Sequence, residues 1–159
     1  MKTPWTPERI ISAQAQSAWH WELRANRFFL TDEPGVHLDK GVWVDQLRYH
    51  DTGGVLRGVL RLHHERPNGK EEPKHDWDDY NEEPGFLWIA VDPNCLRRGI
   101  ATTLLDEAFR QGWPIDFDKQ EYTVAGSKLR FAYLQRLEQA KKDGPDTSNQ
   151  VTPLFQSID

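Results

Sequence analysis

The sequence predicts a single domain of the α/β class. The chain of 159 residues is long enough for one domain with its own core. After an N-terminal segment with apolar residues at helical spacing, segments of alternating polarity lead into further segments of helical spacing. A nearly continuous apolar run, Phe86 to Val91, leads through a short loop into one of these helices. The domain is expected to span residues 1–145, followed by a flexible C-terminal tail at residues 146–159.

The N-terminal segment is predicted to be an amphipathic helix. Thr6, Pro7 and Glu8 supply a hydroxyl cap, a proline at the first helical position and an acid in the first turn. Apolar residues then repeat at helical spacing as far as Leu23. The helix is expected to end near Asn26.

A β-hairpin is expected next. Apolar and polar residues alternate imperfectly over residues 42–49, as in a half-buried strand. The glycine-rich segment 51–54 predicts a turn, and residues 55–64 form the second strand. Because side chains alternate across a strand, Arg57 and Arg61 share one face of it.

The remaining segments predict a loop, two strands and two helices. Residues 67–84 hold three prolines and an excess of acids, which is typical of a loop. Residues 86–91 are apolar enough for a central strand covered on both faces. Helical spacing predicts helices at 98–111 and 127–142, and the less regular segment 115–123 is interpreted as a short strand.

Composition limits the classes of function. The net charge of −5 argues against a general nucleic-acid binder, which usually has a basic face. A single cysteine, Cys95, excludes an internal disulfide and suits a reducing, cytoplasmic compartment. No apolar run is long enough to span a membrane, so no membrane partner is expected. Seven tryptophans exceed the needs of a small core, which predicts that some line a groove. The oligomeric state stays open, and a homodimer is compatible with the sequence.

The loop that follows the apolar run predicts a pyrophosphate-binding site. Backbone amides at a helix start lack intrahelical partners, and the helix dipole adds positive charge there. Gly99 and Ala101 leave room for a phosphate to approach the backbone. Two arginines before the glycine add charge, and two threonines after it offer hydroxyl groups; a solvated loop is the alternative. The predicted site comprises Arg97, Arg98, Gly99, Ile100, Ala101, Thr102 and Thr103.

This run resembles the acetyl-CoA-binding motif of the GNAT superfamily of N-acetyltransferases. In that family a strand ends in V-x-P, and a loop of the form Q/R-x-x-G-x-G/A opens the next helix. The run 91–93 matches the first part, and residues 97–101 match the second, whose first position holds Leu96 instead. The resemblance covers roughly residues 42–140. It implies a GNAT-like mixed sheet, acetyl-CoA as co-substrate, no metal, and acetyl transfer to a primary amine on a small molecule or a protein.

The resemblance also implies roles for single residues. The pantetheine arm of the family's co-substrate pairs with strand backbone in a splay between two parallel strands, which places it at Ile89, Ala90 and Val91. A tyrosine of the last core helix commonly protonates the leaving thiolate. Tyr133 is the candidate for this acid, with Tyr122 second, and a packing role for Tyr133 is the alternative.

The acidic loop between the second and third predicted strands indicates where an amine enters. Glu82 and Glu83 are the candidates for the base, although a water chain or two solvated acids are alternatives. Acids outnumber bases over residues 65–83, which favours a cationic acceptor. Trp77 and Tyr80 in the same loop offer aromatic faces for it.

The same loop also contains a cluster of potential metal ligands. Its members are His75, Asp76, Asp78 and Asp79, whose spacing matches neither a calcium loop nor a zinc motif. We therefore predict no metal site.

Two other classes of function stay open. The first is a non-catalytic GNAT-like binding module, which the non-matching Leu96 and the absence of a carboxylate in the strand 86–91 both favour. The second is an acyltransferase that modifies a nucleic-acid base, for which Arg57 and Arg61 would supply positive charge.

Overall fold

The computed structural model describes residues 7–65, 72–79, 82–120 and 124–142, with side chains from residue 13 onward and, in the last helix, from residue 129. Within these stretches the chain forms three α-helices, four β-strands and three short 3₁₀ helices, which confirms the predicted combination of helices and sheet. No helix in them is both long and apolar enough to cross a membrane. The regular elements are α1 Pro7–Ala25, β1 Gly35–Lys40, β2 Val44–His50, β3 Leu56–His63, β4 Leu87–Val91, α2 Ile100–Arg110 and α3 Val124–Lys142.

The four strands form one sheet in the order β1-β2-β3-β4, with every neighbouring pair antiparallel. Leu47 lies opposite Leu60, and Leu60 lies opposite Ile89. The predicted hairpin over 42–49 and 55–64 is confirmed as β2 and β3. The predicted mixed sheet needs a parallel pair of strands, and the described residues contain none.

The helices α2 and α3 cover one face of the sheet with an apolar core. Leu47 and Leu60 from the strands meet Ile100, Leu104 and other residues of α2 there. The contact is close at Gly58, where a Cβ atom would lie 2.6 Å from Cγ2 of Ile100. A glycine at this position therefore lets the start of α2 sit directly on β3.

The first strand, β1, is absent from the prediction. Residues 36–39 alternate between apolar and polar side chains, but this run is only four residues long, the shortest in which alternation indicates a strand. Val36 packs against the apolar core, whereas the polar residues of the run meet partners on β2. Asp39 accepts a hydrogen bond from Nε of Arg48 at 2.6 Å. His37 meets His50 edge to face, with 5.3 Å between ring centroids. These polar partners on β2 hold β1 in the sheet.

The strand β4 is an edge strand of the described sheet, which corrects the prediction of a central strand. Both of its faces are nevertheless packed: Ile89 and Val91 lie against the core under α2, and Ala90 lies against the cluster that contains Trp19 of α1. Trp88 keeps 36% of its surface exposed. Residues 115–120 are the described part of the fourth predicted strand, and they contain only the 3₁₀ helix Phe117–Lys119. The side chain of Gln120 instead accepts from the N–H of Leu87 at 3.0 Å and donates to the carbonyl of Gly85 at 2.9 Å.

The loop between β3 and β4 is anchored by one buried carboxylate, Asp78. Its oxygens accept hydrogen bonds from the N–H groups of Val42, Trp43, Val44 and Lys74 at 2.7–3.2 Å. Burial raises the pKa of Asp78, but the four amide hydrogen bonds together outweigh burial and hold the pKa below its ordinary value. Asp78 thus ties this loop to the start of β2.

Replacing Asp78 by Asn should destabilise the protein at neutral pH by about 3 kcal/mol, because a neutral amide cannot accept four hydrogen bonds. The folded pKa lies below the ordinary 3.8, so the stabilisation is present above that pH and is lost as pH falls through the folded value. Urea unfolding at several pH values should therefore show the difference between parent and Asp78→Asn shrinking below about pH 4.

Asp76→Asn is the control for Asp78→Asn, because it removes an exposed charge from the same loop. It should change the free energy of unfolding by less than about 1 kcal/mol. A difference between parent and Asp78→Asn that does not depend on pH would contradict the role of the carboxylate.

Candidate functional site

The turn between β4 and α2 is fixed by the buried carboxylate of Asp92. One oxygen accepts from the N–H of Asn94 at 2.9 Å, and the other accepts from Nη1 of Arg57 at 2.8 Å. Nε of Arg57 in turn donates to Asp51 at 2.8 Å. These hydrogen bonds hold the first residues of the following loop in place.

The loop then takes two left-handed steps before the helix begins. Arg97 has a φ of 66° and Gly99 a φ of 74°. The left-handed conformation costs a residue other than glycine roughly 1–2 kcal/mol, so Arg97 is strained. Gly99 is the N-cap of α2 and makes no side-chain cap hydrogen bond. The N–H groups of the first helical turn have no intrahelical acceptors and can donate hydrogen bonds to a ligand there.

The predicted role of Thr103 in this loop is only partly compatible with the structure. The hydroxyl of Thr103 donates to the carbonyl of Gly99 at 2.8 Å, and the N–H of Thr103 donates to the same carbonyl at 2.9 Å. The hydroxyl proton is therefore already used within the helix start. Arg97 and Arg98 are exposed at the surface, and Nη1 of Arg98 lies 3.9 Å from Sγ of Cys95.

A cavity of about 220 Å³ opens between the start of α2 and the middle of α3; we call it the α2–α3 cavity. It brings two parts of the predicted phosphate loop together with the predicted acid, although they come from segments far apart in the chain. The β4 residues Ile89 and Val91 do not line it. Its lining residues are Gly99, Thr102, Ala132, Tyr133 and Arg136.

Tyr133 is almost fully buried, and its hydroxyl donates to Oδ1 of Asp106 at 2.9 Å. Nη2 of Arg136 approaches Oδ2 of the same carboxylate at 3.3 Å. Burial raises the pKa of Tyr133, and the hydrogen bond to Asp106 raises it further. Burial also raises the pKa of Asp106. The hydroxyl is therefore a weaker acid than an ordinary tyrosine, with its proton directed to Asp106.

The GNAT resemblance predicts that three peptide groups of β4 contact a pantetheine arm, and two of the three face the outer edge of the strand. The N–H of Leu87 points away from β3, whereas the N–H of Asp92 points toward it. Because these directions alternate along an antiparallel strand, Ile89 and Val91 face outward, and Ala90 faces β3. Ala90 therefore cannot pair with a ligand at that edge through its backbone.

A larger cavity, of about 340 Å³, lies on the opposite face of the sheet beneath α1; we call it the Trp-walled pocket. It includes Glu82, one of the two predicted bases. Glu83 is exposed and does not line it. The pocket is lined by Ala18, Trp21, Arg61, His63, Trp77, Asp79, Glu82, Phe86 and Trp88.

The floor of this pocket is a buried ion pair between α1 and β3. Both terminal nitrogens of Arg61 donate to the carboxylate of Glu22, each at 2.6 Å, and Nη1 also donates to Gln46 at 3.0 Å. The indole Nε1 of Trp88 donates to Oε2 of Glu22 at 2.6 Å. Since Arg57 is paired with carboxylates as well, neither arginine of β3 offers an unpaired charge to a nucleic acid.

Two buried nitrogens of the Trp-walled pocket have no hydrogen-bond partner: Nδ1 of His63 and Nε1 of Trp77. The other ring nitrogen of His63, Nε2, lies 3.4 Å from Oδ1 of Asp79. The ring of His63 meets that of Phe86 edge to face at 5.5 Å. The pocket thus contains unused hydrogen-bonding capacity.

The described residues of the acidic loop make contacts that stabilise the fold. Asp76 pairs with Arg27 at 2.5 Å, and the ring of His75 stacks on Trp77 at 4.4 Å. Among the described residues, no group of three or more histidine, cysteine or carboxylate side chains is arranged to hold a metal ion. Tyr80 and Tyr122 lie outside the described residues.

Comparisons of the chain with protein-family models, with curated proteins and with solved structures give no match.

Several residues in and around the two cavities were not predicted. Arg136 could have been found from its position one helical turn after Tyr133. Glu22 could have been found because it lies one turn after Ala18, on the apolar face of α1.

Glu22→Gln should destabilise the fold by about 3–5 kcal/mol, because it leaves the guanidinium of Arg61 buried without its counter-charge. The double variant Glu22→Leu, Arg61→Met should recover most of that loss, since it removes both charges. Urea unfolding of the three proteins measures both effects. Glu107→Gln, which breaks the exposed pair with Arg110, is the control and should cost less than about 1 kcal/mol. If the double variant were no more stable than Glu22→Gln, the loss of stability could not be attributed to the unpaired charge of Arg61 alone.

Proposed function

We propose that the protein is an acetyl-CoA-dependent N-acetyltransferase that acts on a primary amine. The α2–α3 cavity is the observation that carries this proposal. It joins Gly99 and Thr102, from the segment that resembles the GNAT motif, to Tyr133, the candidate acid. The order of a hairpin, a third strand and a glycine-opened helix supports a GNAT-like core, which we propose together with the activity.

The proposed co-substrate site uses backbone groups more than side chains. The pyrophosphate lies against the first-turn amides of α2, at residues 100–102, where the helix dipole adds positive charge. Arg136 adds a guanidinium at the cavity wall, held in place by Asp106. The pantetheine arm runs along the outer edge of β4 and pairs with Ile89 and Val91. Arg97 and Arg98 supply positive charge at the entrance.

The reaction then depends mainly on position. The neutral amine nitrogen attacks the thioester carbonyl carbon, and the carbon–sulfur bond breaks to release the thiolate, which takes up a proton. Holding the two reactants in contact is worth on the order of 7–11 kcal/mol. Of the predicted bases, Glu82 lines a cavity and Glu83 does not. Tyr133 can serve as the proton donor only if its hydroxyl exchanges Asp106 for the thiolate.

A second candidate is a GNAT-like module that binds CoA without catalysis. The hydrogen bond from Tyr133 to Asp106 and the raised pKa of Tyr133 favour it, because both hold the proton away from a thiolate. The nucleic-acid alternative loses its support, since Arg57 and Arg61 are both paired with carboxylates.

Thr102→Glu should weaken acetyl-CoA binding at least about tenfold, because a carboxylate in the first turn of α2 repels the pyrophosphate. The same substitution suits the helix dipole, so the fold should be retained. Isothermal titration calorimetry measures the affinity. Gln14→Glu, at an exposed position of α1, changes the net charge equally and should leave binding unaltered. Unchanged affinity in Thr102→Glu would remove the phosphate from this loop.

Tyr133→Phe separates the enzyme from the binding module. If Tyr133 protonates the thiolate, turnover should fall by about 10²–10⁴-fold while acetyl-CoA affinity is retained. Steady-state kinetics with a panel of primary amines measures turnover, and Phe131→Leu, at an exposed position of the same helix, is the control. Turnover within about twofold of the parent would assign Tyr133 to packing alone.

A further inference from the structure

The imidazole of His50 is buried between an arginine and the turn that joins β2 to β3, and these two neighbours fix where its proton lies. Nε2 lies 2.8 Å from Nη1 of Arg48, and Nδ1 lies 3.1 Å from the carbonyl oxygen of Gly54. A guanidinium can only donate a hydrogen bond, and a carbonyl oxygen can only accept one. Nε2 is therefore the acceptor and Nδ1 carries the proton, so the ring is neutral.

Charged and titratable groups from several segments surround this ring. Arg48 belongs to β2, His37 belongs to β1, and Asp32 lies in the segment 30–33 that precedes β1. On the turn itself, the carboxylate of Asp51 accepts hydrogen bonds from two backbone N–H groups and pairs with Arg57. The group in direct contact with Nε2 is thus a cation.

These surroundings disfavour the protonated ring. Burial lowers the pKa of His50 below its ordinary value of 6.5, and the guanidinium of Arg48 lowers it further. The hydrogen bond to Gly54 and the charge of Asp32 act in the opposite direction without outweighing burial. Because the folded pKa is depressed, the stabilisation from His50 is present above pH 6.5 and is lost as pH falls through the folded value.

A proton on Nε2 would bring two N–H groups of like charge into contact, so either Arg48 or the ring of His50 must move. Nε and Nη2 of Arg48 donate to the carboxylate of Asp39 at 2.6 and 3.1 Å, and Nη1 also donates to Asp32 at 3.1 Å. The guanidinium lies over the ring of Phe29, 4.2 Å from its centroid. His50 is held on its other side by one carbonyl oxygen. The ring of His50 is therefore the group that moves.

The carbonyl group of Gly54 also joins the β2–β3 turn to the segment 30–33. Its oxygen accepts from the N–H of Asp32 at 2.9 Å, and the N–H of Leu56 donates to the carbonyl of Leu30 at 3.2 Å. Gly54 has a φ of 80°, and a Cβ atom there would lie 2.5 Å from the carbonyl oxygen of Asp32. The two segments therefore pack backbone against backbone, with the ring of His50 at their junction.

We propose that His50 is a proton-sensitive switch at this junction. When Nε2 takes up a proton from solvent, the ring leaves Arg48 and Gly54, and the segment 30–33 separates from the β2–β3 turn. The apolar core between the sheet and α2 contains no residue of either segment, so it stays folded. Acidification thus loosens one end of the sheet without unfolding the domain, whether or not the protein is an acetyltransferase.

Nitrogen-15 NMR of the whole protein tests the starting state of the switch. At about pH 7.5, where an imidazole is ordinarily neutral, His50 should carry its proton on Nδ1 and none on Nε2. Nε2 should become protonated only below pH 6.5. A proton on Nε2 at the higher pH would overturn the proposal.

Amide hydrogen exchange tests the separation of the two segments. Between about pH 7.5 and about pH 5, after correction for intrinsic rates, the protection of the Asp32 and Leu56 amides should fall by about tenfold or more. Amides in the middle of α2, at residues 104–108, should keep their protection. Unchanged protection at Asp32 and Leu56 once His50 is protonated would overturn the proposal. An equal loss in α2 would also overturn it, because the effect would then be global.

The variant His50→Gln separates this ring from the other histidines. A glutamine amide can accept from Arg48 and donate to Gly54, and it does not titrate. The protection of the same two amides should then be independent of pH over the same range. His20→Gln, at an exposed position of α1, is the matched control and should keep the pH dependence of the parent. A dependence that persists in His50→Gln would assign it to another group and refute the switch.

If His50→Gln does not fold, the parent protein decides. The midpoint of the protection loss must then coincide with protonation of Nε2 of His50 in the NMR titration. A midpoint that follows the titration of His37 instead would overturn the role of His50.

Discussion

The buried ion pair between Glu22 and Arg61 is the constraint on which one half of the structure depends. It joins α1 to the sheet at a point where neither charge reaches water. Such a pair contributes little net stability compared with apolar residues of the same volume, but breaking it is costly. Its effect is therefore orientation: α1 can dock only where the carboxylate meets the guanidinium. The indole of Trp88 is held by the same carboxylate, so the wall of the pocket is set by this docking.

The two faces of the sheet are built on different principles. The face toward α2 is held by an apolar core, with Gly58 allowing the close approach of the helix. The face toward α1 combines apolar contacts with buried polar groups, among them Gln46, Arg48 and His50. Buried polar groups need hydrogen-bond partners at defined positions. The polar contacts of the α1 face therefore fix how α1 docks on the sheet, although they add little net stability.

Most regular elements could be predicted because they depend on local patterns. The start of α1 follows from Pro7, and the start of α2 from Gly99, whose left-handed φ only glycine adopts without strain. The strand β1 was missed because its alternating run, residues 36–39, is short, and because the polar residues in that run find their partners on β2. The edge position of β4 was also missed, since an apolar run indicates burial but not which neighbours supply it. The order of strands in a sheet is set by contacts between segments, so it cannot be predicted from the sequence of one segment alone.

The same distinction applies to the sites. The proposed phosphate loop is a local motif, so its residues can be named from the sequence. The partners of Tyr133 and His63 come from other elements. Glu22 and Arg61 are separated by 39 positions, and His63 and Asp79 by 16. A charged residue on the apolar face of a helix is nevertheless a readable signal, because burial of a charge requires a counter-charge on the surface it meets. For Glu22 of α1, this rule predicts a cation on the strand that α1 packs against, and that cation is Arg61 of β3.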